Sequence, residues 1–193
     1  MAKLKNKDLI LLLLHVQGPN GVLNEPIPGQ TRLMKMIFLF GKEIKKHFDR
    51  NAFDESTFPD FQAYEFGPYA PKVYSDLEWL VNMGFVDVSQ FSNGEIPEEE
   101  RREFDYWTAT GSADDDLDTS RVGKTFFLSE RGERFVCKML PQWAISEEQM
   151  DILSEFKTRC LDASLRALLH YTYTRYPEMT GKSKIRRRVL GDG

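Results

Sequence analysis

The side chains of this sequence that could do chemistry are three histidines, two cysteines and two runs of acidic residues. His15, His47 and His170 fall in separate predicted helices, and no Cys or His pair has the spacing of zinc ligands. Cys137 and Cys160 have no histidine near them, and the chain contains neither a GxSxG motif nor a glycine-rich phosphate loop. We therefore expect no catalytic residues, no metal and no cofactor.

The acidic runs, three glutamates at 98–100 and three aspartates at 114–116, lie in a polar segment that spans residues 89–123. Clustered like charges in a polar loop are typical of a solvated surface. Two alternatives stay open for them. They could imitate nucleic acid or dock on a basic partner. They could also serve a small nuclease or nucleotide-handling enzyme, although no other motif supports such an enzyme.

Bulk composition places the chain among ordinary soluble globular proteins. Of the 193 residues, 41% are hydrophobic and 29% are charged, and the net charge of -4 argues against a general nucleic-acid coat protein. The apolar run at 9–16 is far shorter than the roughly 20 residues that cross a bilayer. We expect a cytoplasmic protein with no membrane partner, whose two cysteines are buried free thiols.

Hydrophobic periodicity and breaker residues predict the order of the elements. The order favours an α+β, mostly α, fold: a winged helix-turn-helix-like core at 1–140, and a helical extension at 141–193 with a basic, frayed tail. The long C-terminal helix of that extension offers a surface for a homodimer. The predicted helices are 6–17, 31–48 with Thr31 as N-cap, 71–83, one after Ser129, and 146–176; the predicted strands are 61–66, 85–88 and 124–128.

The stretch YEFGPYAPKVYSDLEWLVNMGFVDV at 64–88 combines a Gly-Pro turn with an amphipathic helix. Pro68 and Pro71 make the helix entry rigid, which is a structural role. Tyr64, Tyr69 and Tyr74 could also form an aromatic surface, because tyrosines supply a large contact area with few torsions to freeze. The residues that we predict to bind a protein partner are Tyr64, Phe66, Gly67, Pro68, Tyr69 and Tyr74.

Three segments, TRLMKMIFLF, YEFGPYAPKVYSDLEWL and FFLSERGERF, resemble the prokaryotic Panacea (SocA-like antitoxin) domains and, more closely, their YwgA-like relatives. The resemblance covers roughly residues 7–140, and the Gly67-Pro68 turn with its following helix is the specific part. It implies a winged-helix-related domain of toxin–antitoxin, prophage or antiphage-defence loci. It also implies that the domain acts by binding proteins rather than by catalysis, and it implies no catalytic residues.

Positive charge is the signal for nucleic acid, and it lies away from the helix at 71–83, where Lys72 faces Asp76 and Glu78. A helix with that balance repels phosphates. The tail KSKIRRR is the densest basic segment, and its alternative role is a solvated tail. The candidate nucleic-acid-binding residues are Arg32, Lys35, Lys42, Lys45, Lys46, Lys182, Lys184, Arg186, Arg187 and Arg188.

Two functional hypotheses follow from the sequence. The first is a non-enzymatic interaction module of a toxin–antitoxin, prophage or antiphage-defence system, which binds a protein partner such as a toxin or effector. The alternative is a winged-helix transcriptional regulator that binds DNA. Both roles could belong to one protein, because antitoxins often repress their own operons.

Overall fold

The computed structural model describes residues 2–49, 51–90 and 124–191, which form an α+β and mostly helical fold. The helices are α1 Asn6–His15, α2 Gln30–Leu39, α3 Pro71–Asn82, α4 Glu130–Trp143, α5 Glu147–Asp162, α6 Leu165–Arg175 and α7 Arg186–Leu190. The strands are β1 Ile27–Pro28, β2 Gln62–Tyr64, β3 Gly67–Tyr69, β4 Val86–Gln90 and β5 Lys124–Leu128.

The strands form two small antiparallel sheets. One sheet has the order β1-β5-β4, with Phe126 of β5 paired to Ile27 on one side and to Val88 on the other. The second sheet is the β2–β3 hairpin, which lies between α2 and α3 in the chain. The predicted strand at 124–128 is confirmed, whereas the single strand predicted at 61–66 is a hairpin whose second strand begins at Gly67.

Capping residues fix where several helices begin, as the sequence predicted. The Ser129 hydroxyl accepts from the Gly132 amide at 3.0 Å, and Ser146 with Gln149 forms a reciprocal capping box. Pro71 occupies the first turn of α3. The second helix differs from its prediction, because Gly29 takes the N-cap position that was assigned to Thr31.

α1 lies at the centre of the core, since the six consecutive residues from Leu9 to Leu14 are each at most 2% exposed. The same hydrophobic cluster includes Leu33 of α2 and Leu153 and Phe156 of α5. Position 140 is the predicted boundary between the core and the C-terminal extension. Core residues on both sides of it therefore pack in one cluster.

Lys157 of α5 is fully buried and ties that helix to the end of α1. Its ammonium donates to the carbonyl oxygens of Leu14 at 3.1 Å, Val16 at 2.7 Å and Glu25 at 2.6 Å. The last carbonyls of a helix have no partner within the helix, and a cation there also interacts favourably with the helix dipole. Burial lowers the pKa of Lys157 to about 8, an effect that the Glu25 carboxylate partly opposes.

The prediction of one long C-terminal helix at 146–176 is wrong, because the helical conformation is interrupted between α5 and α6. Ala163 is extended (φ -72°, ψ 134°), and the Ser164 hydroxyl caps α6 by accepting from the Ala167 amide. The Arg32 guanidinium of α2 donates to the carbonyls of Cys160 at 2.5 Å and Ala163 at 2.6 Å. These bonds satisfy carbonyls that the break leaves without helical partners.

α2 continues beyond Leu39 as a π-helical turn, Phe40–Ile44, and then a 3₁₀ turn, Lys45–His47. The Glu43 carboxylate of the π turn accepts from the hydroxyls of Tyr171 at 2.9 Å and Tyr176 at 2.8 Å. Burial is the larger cause that raises the pKa of both phenols, and their hydrogen bonds to the Glu43 carboxylate raise it further. The turn therefore connects α2 to the C-terminal helices.

The prediction that the C-terminal tail is frayed is wrong for residues up to 190, because α7 packs on the rest of the fold. Ile185 and Val189 are 8% and 2% exposed and form a small cluster with Leu169 and Tyr173 of α6. The Lys184 amide also donates to the carbonyl of Glu65, in the β2–β3 turn, at 3.0 Å.

Replacing Lys157 by methionine should lower the free energy of unfolding by about 3 kcal/mol, because it leaves three buried carbonyls without their charged donor. Urea unfolding followed by circular dichroism measures the loss. Lys138→Met is the matched control, since Lys138 is exposed on α4, and it should change stability by less than about 0.5 kcal/mol. Equal losses in the two variants would contradict the anchoring role of Lys157.

Candidate partner-binding cleft

The β2–β3 hairpin presents the Gly-Pro turn that the sequence singled out. Tyr64 pairs with Gly67, so the reversal is made by Glu65 and Phe66 alone. Gly67 has φ +81°, a left-handed conformation that other residues rarely adopt. Pro68 pairs with Ala63, and its carbonyl accepts a hydrogen bond from the Lys35 ammonium.

Gly67 also makes a close approach to α6. A Cβ atom at this position would lie 2.5 Å from Cε1 of Tyr173, which is 1% exposed and therefore has little room to move. The Tyr173 hydroxyl lies 2.8 Å from the Ser183 hydroxyl, and burial raises the pKa of Tyr173 to about 12. The glycine is thus required both by the turn and by the packing beneath it.

Three tyrosines form a continuous row of rings, which we call the tyrosine row. The Tyr64 and Tyr69 rings stack at 4.8 Å between centroids with an interplanar angle of 28°, and Tyr69 meets Tyr74 edge to face at 5.5 Å. Tyr64 is 48% exposed, while Tyr69 and Tyr74 are half-buried. Because the rings support each other, the row presents a preformed aromatic surface.

Lys35 of α2 lies behind the tyrosine row. Its side chain is 2% exposed, and its ammonium donates to the Pro68 carbonyl at 2.8 Å. Burial lowers the pKa of Lys35 to about 7, since a charged amine loses its hydration there. A strongly shifted ionisable group in a cleft marks a candidate functional site.

The tyrosine row and Lys35 enclose a cavity of about 280 Å³, which we call the tyrosine cleft. Its walls also include Glu65, whose carboxylate pairs with Lys184 at 2.8 Å. The residues that line the tyrosine cleft include Lys35, Tyr64, Glu65, Phe66, Tyr69 and Tyr74.

The structure brings the predicted partner-binding residues together, although their binding role stays a prediction. Tyr64, Phe66, Gly67, Tyr69 and Tyr74 line the tyrosine cleft, and Pro68 lies buried behind it with its carbonyl on Lys35. Sequence reasoning missed Lys35 and Glu65 as parts of this site. The available signal was the position of Lys35 between Met34 and Met36, two core residues.

Two of the predicted nucleic-acid-binding residues, Arg32 and Lys35, are buried rather than on the surface. Arg32 and Lys35 are 5% and 2% exposed and donate to backbone carbonyls. Neither side chain is exposed for contact with the phosphate backbone of a duplex. Among the remaining candidates, Lys42 lies over the Phe38 and Tyr176 rings, and Lys45 pairs with Glu55 at 2.5 Å.

Among these candidates, exposed positive charge remains at the end of the chain and near α2, at Lys42 and Lys46. Lys46, Lys182, Arg186 and Arg187 are exposed, Lys184 is exposed and paired with Glu65, and Arg188 is half-buried. α3 exposes Glu78, while its Asp76 is buried and interacts with Asn6, Lys7 and Lys72.

The cysteines differ from each other. Cys160 is buried, as expected, and burial raises the pKa of its thiol to about 12, whereas Cys137 is exposed, so the prediction for it is wrong. In the part of the chain that the structure describes, no group of three or more His, Cys, Asp or Glu side chains could hold a metal ion. The acidic runs at 98–100 and 114–116 lie outside the described residues.

No helix within 2–49, 51–90 or 124–191 has the length and apolar character needed to cross a bilayer. Comparison of the chain with protein-family models, with curated proteins and with solved structures gives no match. The function must therefore be argued from the cleft itself.

Gly67→Ala should destabilise the fold by about 3 kcal/mol, because the new methyl meets the Tyr173 ring in addition to straining the turn. Gly84→Ala is the matched control. Gly84 has φ +69° but open space around it, so alanine there should lower the free energy of unfolding only through backbone strain, by about 1 kcal/mol. Chemical unfolding of both variants measures the difference. Equal destabilisation would mean that the contact with Tyr173 contributes nothing.

Proposed function

We propose that this protein is a non-enzymatic interaction module that binds a protein partner through the tyrosine row and the tyrosine cleft. The single observation that carries the proposal is the stacked arrangement of Tyr64, Tyr69 and Tyr74 at the mouth of a cavity, with Tyr64 48% exposed. Tyrosine is enriched at the centres of protein interfaces, where it supplies area and a polar tip at low entropic cost.

Rigidity of the surface supports the proposal. The hairpin is held by the Gly67 contact with Tyr173, by the Lys35 bond to Pro68 and by the Lys184 amide bond to Glu65. A surface that is already ordered loses little conformational entropy on binding, so more of the contact energy appears as affinity.

The order of the elements supports a winged-helix-like core within the proposal. Three helices precede the β4–β5 pair, and β1, which lies between α1 and α2, joins that pair at β5. This agrees with the resemblance of the sequence to Panacea and YwgA-like domains. On that basis we assign the module to a cytoplasmic toxin–antitoxin, prophage or antiphage-defence system, with a toxin or defence effector as its partner.

Tyr64→Ala should abolish co-purification of the partner while leaving the thermal midpoint within about 2 °C of wild type, because half of this ring already faces solvent. Tagged protein expressed in its native host and quantitative mass spectrometry measure the retained partner.

Tyr171→Ala is the matched control for that experiment. Tyr171 is 46% exposed, lies on α6 and contacts Glu43 rather than the tyrosine row. A partner that both wild type and Tyr171→Ala retain and that Tyr64→Ala loses supports the proposal. Equal retention of every protein by all three versions contradicts it.

A second candidate function, DNA binding, is favoured by one observation: Arg186 and Arg187 of α7 and Lys182, four residues before it, are exposed. Exposed cations of this kind contact phosphates and release counterions. The surface of α3 does not favour base readout, since Glu78 is exposed there and Lys72 is engaged with Asp76.

Replacing Arg186 and Arg187 by alanine should lower affinity for duplex DNA and reduce the slope of log K against log salt by about 2, because two phosphate contacts are lost. Arg188 stays unchanged because it is half-buried. Arg134→Ala with Lys138→Ala removes two exposed charges from α4 and serves as the charge-matched control. An unchanged slope in the first variant would rule out α7 as the DNA-binding surface.

A further inference from the structure

The Lys35 ammonium is a buried cation with unused hydrogen-bonding capacity. A lysine ammonium has three donors, and among the residues that the structure describes its one hydrogen-bond acceptor is the Pro68 carbonyl. The side chain is 2% exposed and lines the tyrosine cleft. A buried charge is costly unless it is paired, so this position favours a ligand that brings a negative charge.

We propose that the tyrosine cleft receives an aspartate or glutamate side chain of the protein partner, whose carboxylate accepts hydrogen bonds from the Lys35 ammonium. The inference rests on the proposed function, because it names the chemistry by which the same surface recognises its partner. In this arrangement the tyrosine row packs against the stem of the acidic side chain and the adjoining backbone.

The size of the cleft is sufficient for a single side chain. Its volume of about 280 Å³ is close to the lower end of the range of roughly 300–1,000 Å³ that is usual for small-molecule sites. One glutamate side chain with a neighbouring peptide group fits within such a space. An acidic residue of a protein partner can therefore enter the cleft.

The other charges near the cleft already have partners. The Glu65 carboxylate is paired with Lys184 at 2.8 Å, and the Arg32 guanidinium is directed to the carbonyls of Cys160 and Ala163. Lys35 is thus the cation that an incoming carboxylate meets inside the cleft. An ion pair formed there is shielded from water by the surrounding rings, which makes it selective for charge.

The direct test compares two peptides, acetyl-Gly-Gly-Glu-Gly-Gly-amide and the same peptide with glutamine. Tyrosine-labelled protein reports binding through the NMR signals of the Tyr64, Tyr69 and Tyr74 rings, with Tyr171 and Tyr176 as internal references. The glutamate peptide should shift the signals of the tyrosine row saturably and bind at least about tenfold more tightly than the glutamine peptide. This comparison needs no variant, so it does not depend on how any substitution folds.

Variants at Lys35 test the contact itself. Lys35→Met keeps the length of the side chain and removes its charge, so it should abolish the preference for glutamate. Lys35→Arg keeps the charge at every pH used and should retain the preference.

The pH dependence follows from the lowered pKa of Lys35, about 7, which means that the ammonium loses its proton as pH rises above neutrality. The peptide carboxylate stays ionised over this range. Affinity of the wild type for the glutamate peptide should therefore fall by roughly tenfold from pH 7.5 to 8.5, and affinity of Lys35→Arg should not. The ionisable groups that line the cleft or lie next to its lining include Arg32, Tyr64, Glu65, Tyr69, Tyr74, Tyr173 and Lys184, and both versions share them.

Several outcomes would overturn the inference. The inference fails if the two peptides bind equally, if neither peptide binds, or if the preference for glutamate survives Lys35→Met. If the peptides bind equally while Tyr64→Ala loses its partner, the carboxylate inference fails and the proposed function stands. If glutamate is preferred while Tyr64→Ala keeps every partner, the tyrosine cleft is a carboxylate site and the proposed function fails.

Discussion

The bonds from buried cations to backbone carbonyls determine how the C-terminal helices sit on the rest of the fold. Lys157 of α5 donates to three carbonyls in and after α1, and Arg32 of α2 donates to the two carbonyls beside the break between α5 and α6. Each cation is desolvated, and each carbonyl belongs to a helix end or loop that lacks a backbone partner there. The observed arrangement of the helices pairs each buried cation with carbonyls that lack a backbone partner, so these contacts stabilise that arrangement.

The tyrosine cleft depends on the same arrangement. Arg32 and Lys35 lie one turn apart on α2. Arg32 donates to the carbonyls of Cys160 and Ala163 at the break before α6, and Lys35 donates to the Pro68 carbonyl of the hairpin. α6 in turn brings Tyr173 against Gly67, which fixes the floor of the turn. The hairpin is therefore held from two sides, by Lys35 of α2 and by Tyr173 of α6, and the tyrosine row is ordered before any partner arrives.

The features that the sequence predicted well are those with local signals. Ser146 with Gln149 marks a helix start within four residues, and the alternation at 124–128 marks a strand. Lys157 gave no such signal, because its acceptors are carbonyls, which every residue carries. The helix break at Ser164 was missed because the flanking residues continue a helical pattern. In the cleft, the tyrosines were chosen from their residue type around the Gly-Pro turn, while Lys35 was predicted to contact nucleic acid because lysine usually lies at the surface.

A buried ammonium and a row of exposed cations recognise negative charge in different ways. The arginines exposed on α7 act through solvent, where salt screens charges beyond about 8 Å at physiological ionic strength, so they attract any polyanion. In the proposed complex, Lys35 acts only on a group that enters the tyrosine cleft and gives up its own hydration, and such a group must fit between the rings. A misfitting or neutral side chain leaves the ammonium with a single acceptor at the same desolvation cost. Discrimination at the cleft therefore comes from shape and charge together, which suits a specific protein partner better than a phosphate backbone of uniform charge.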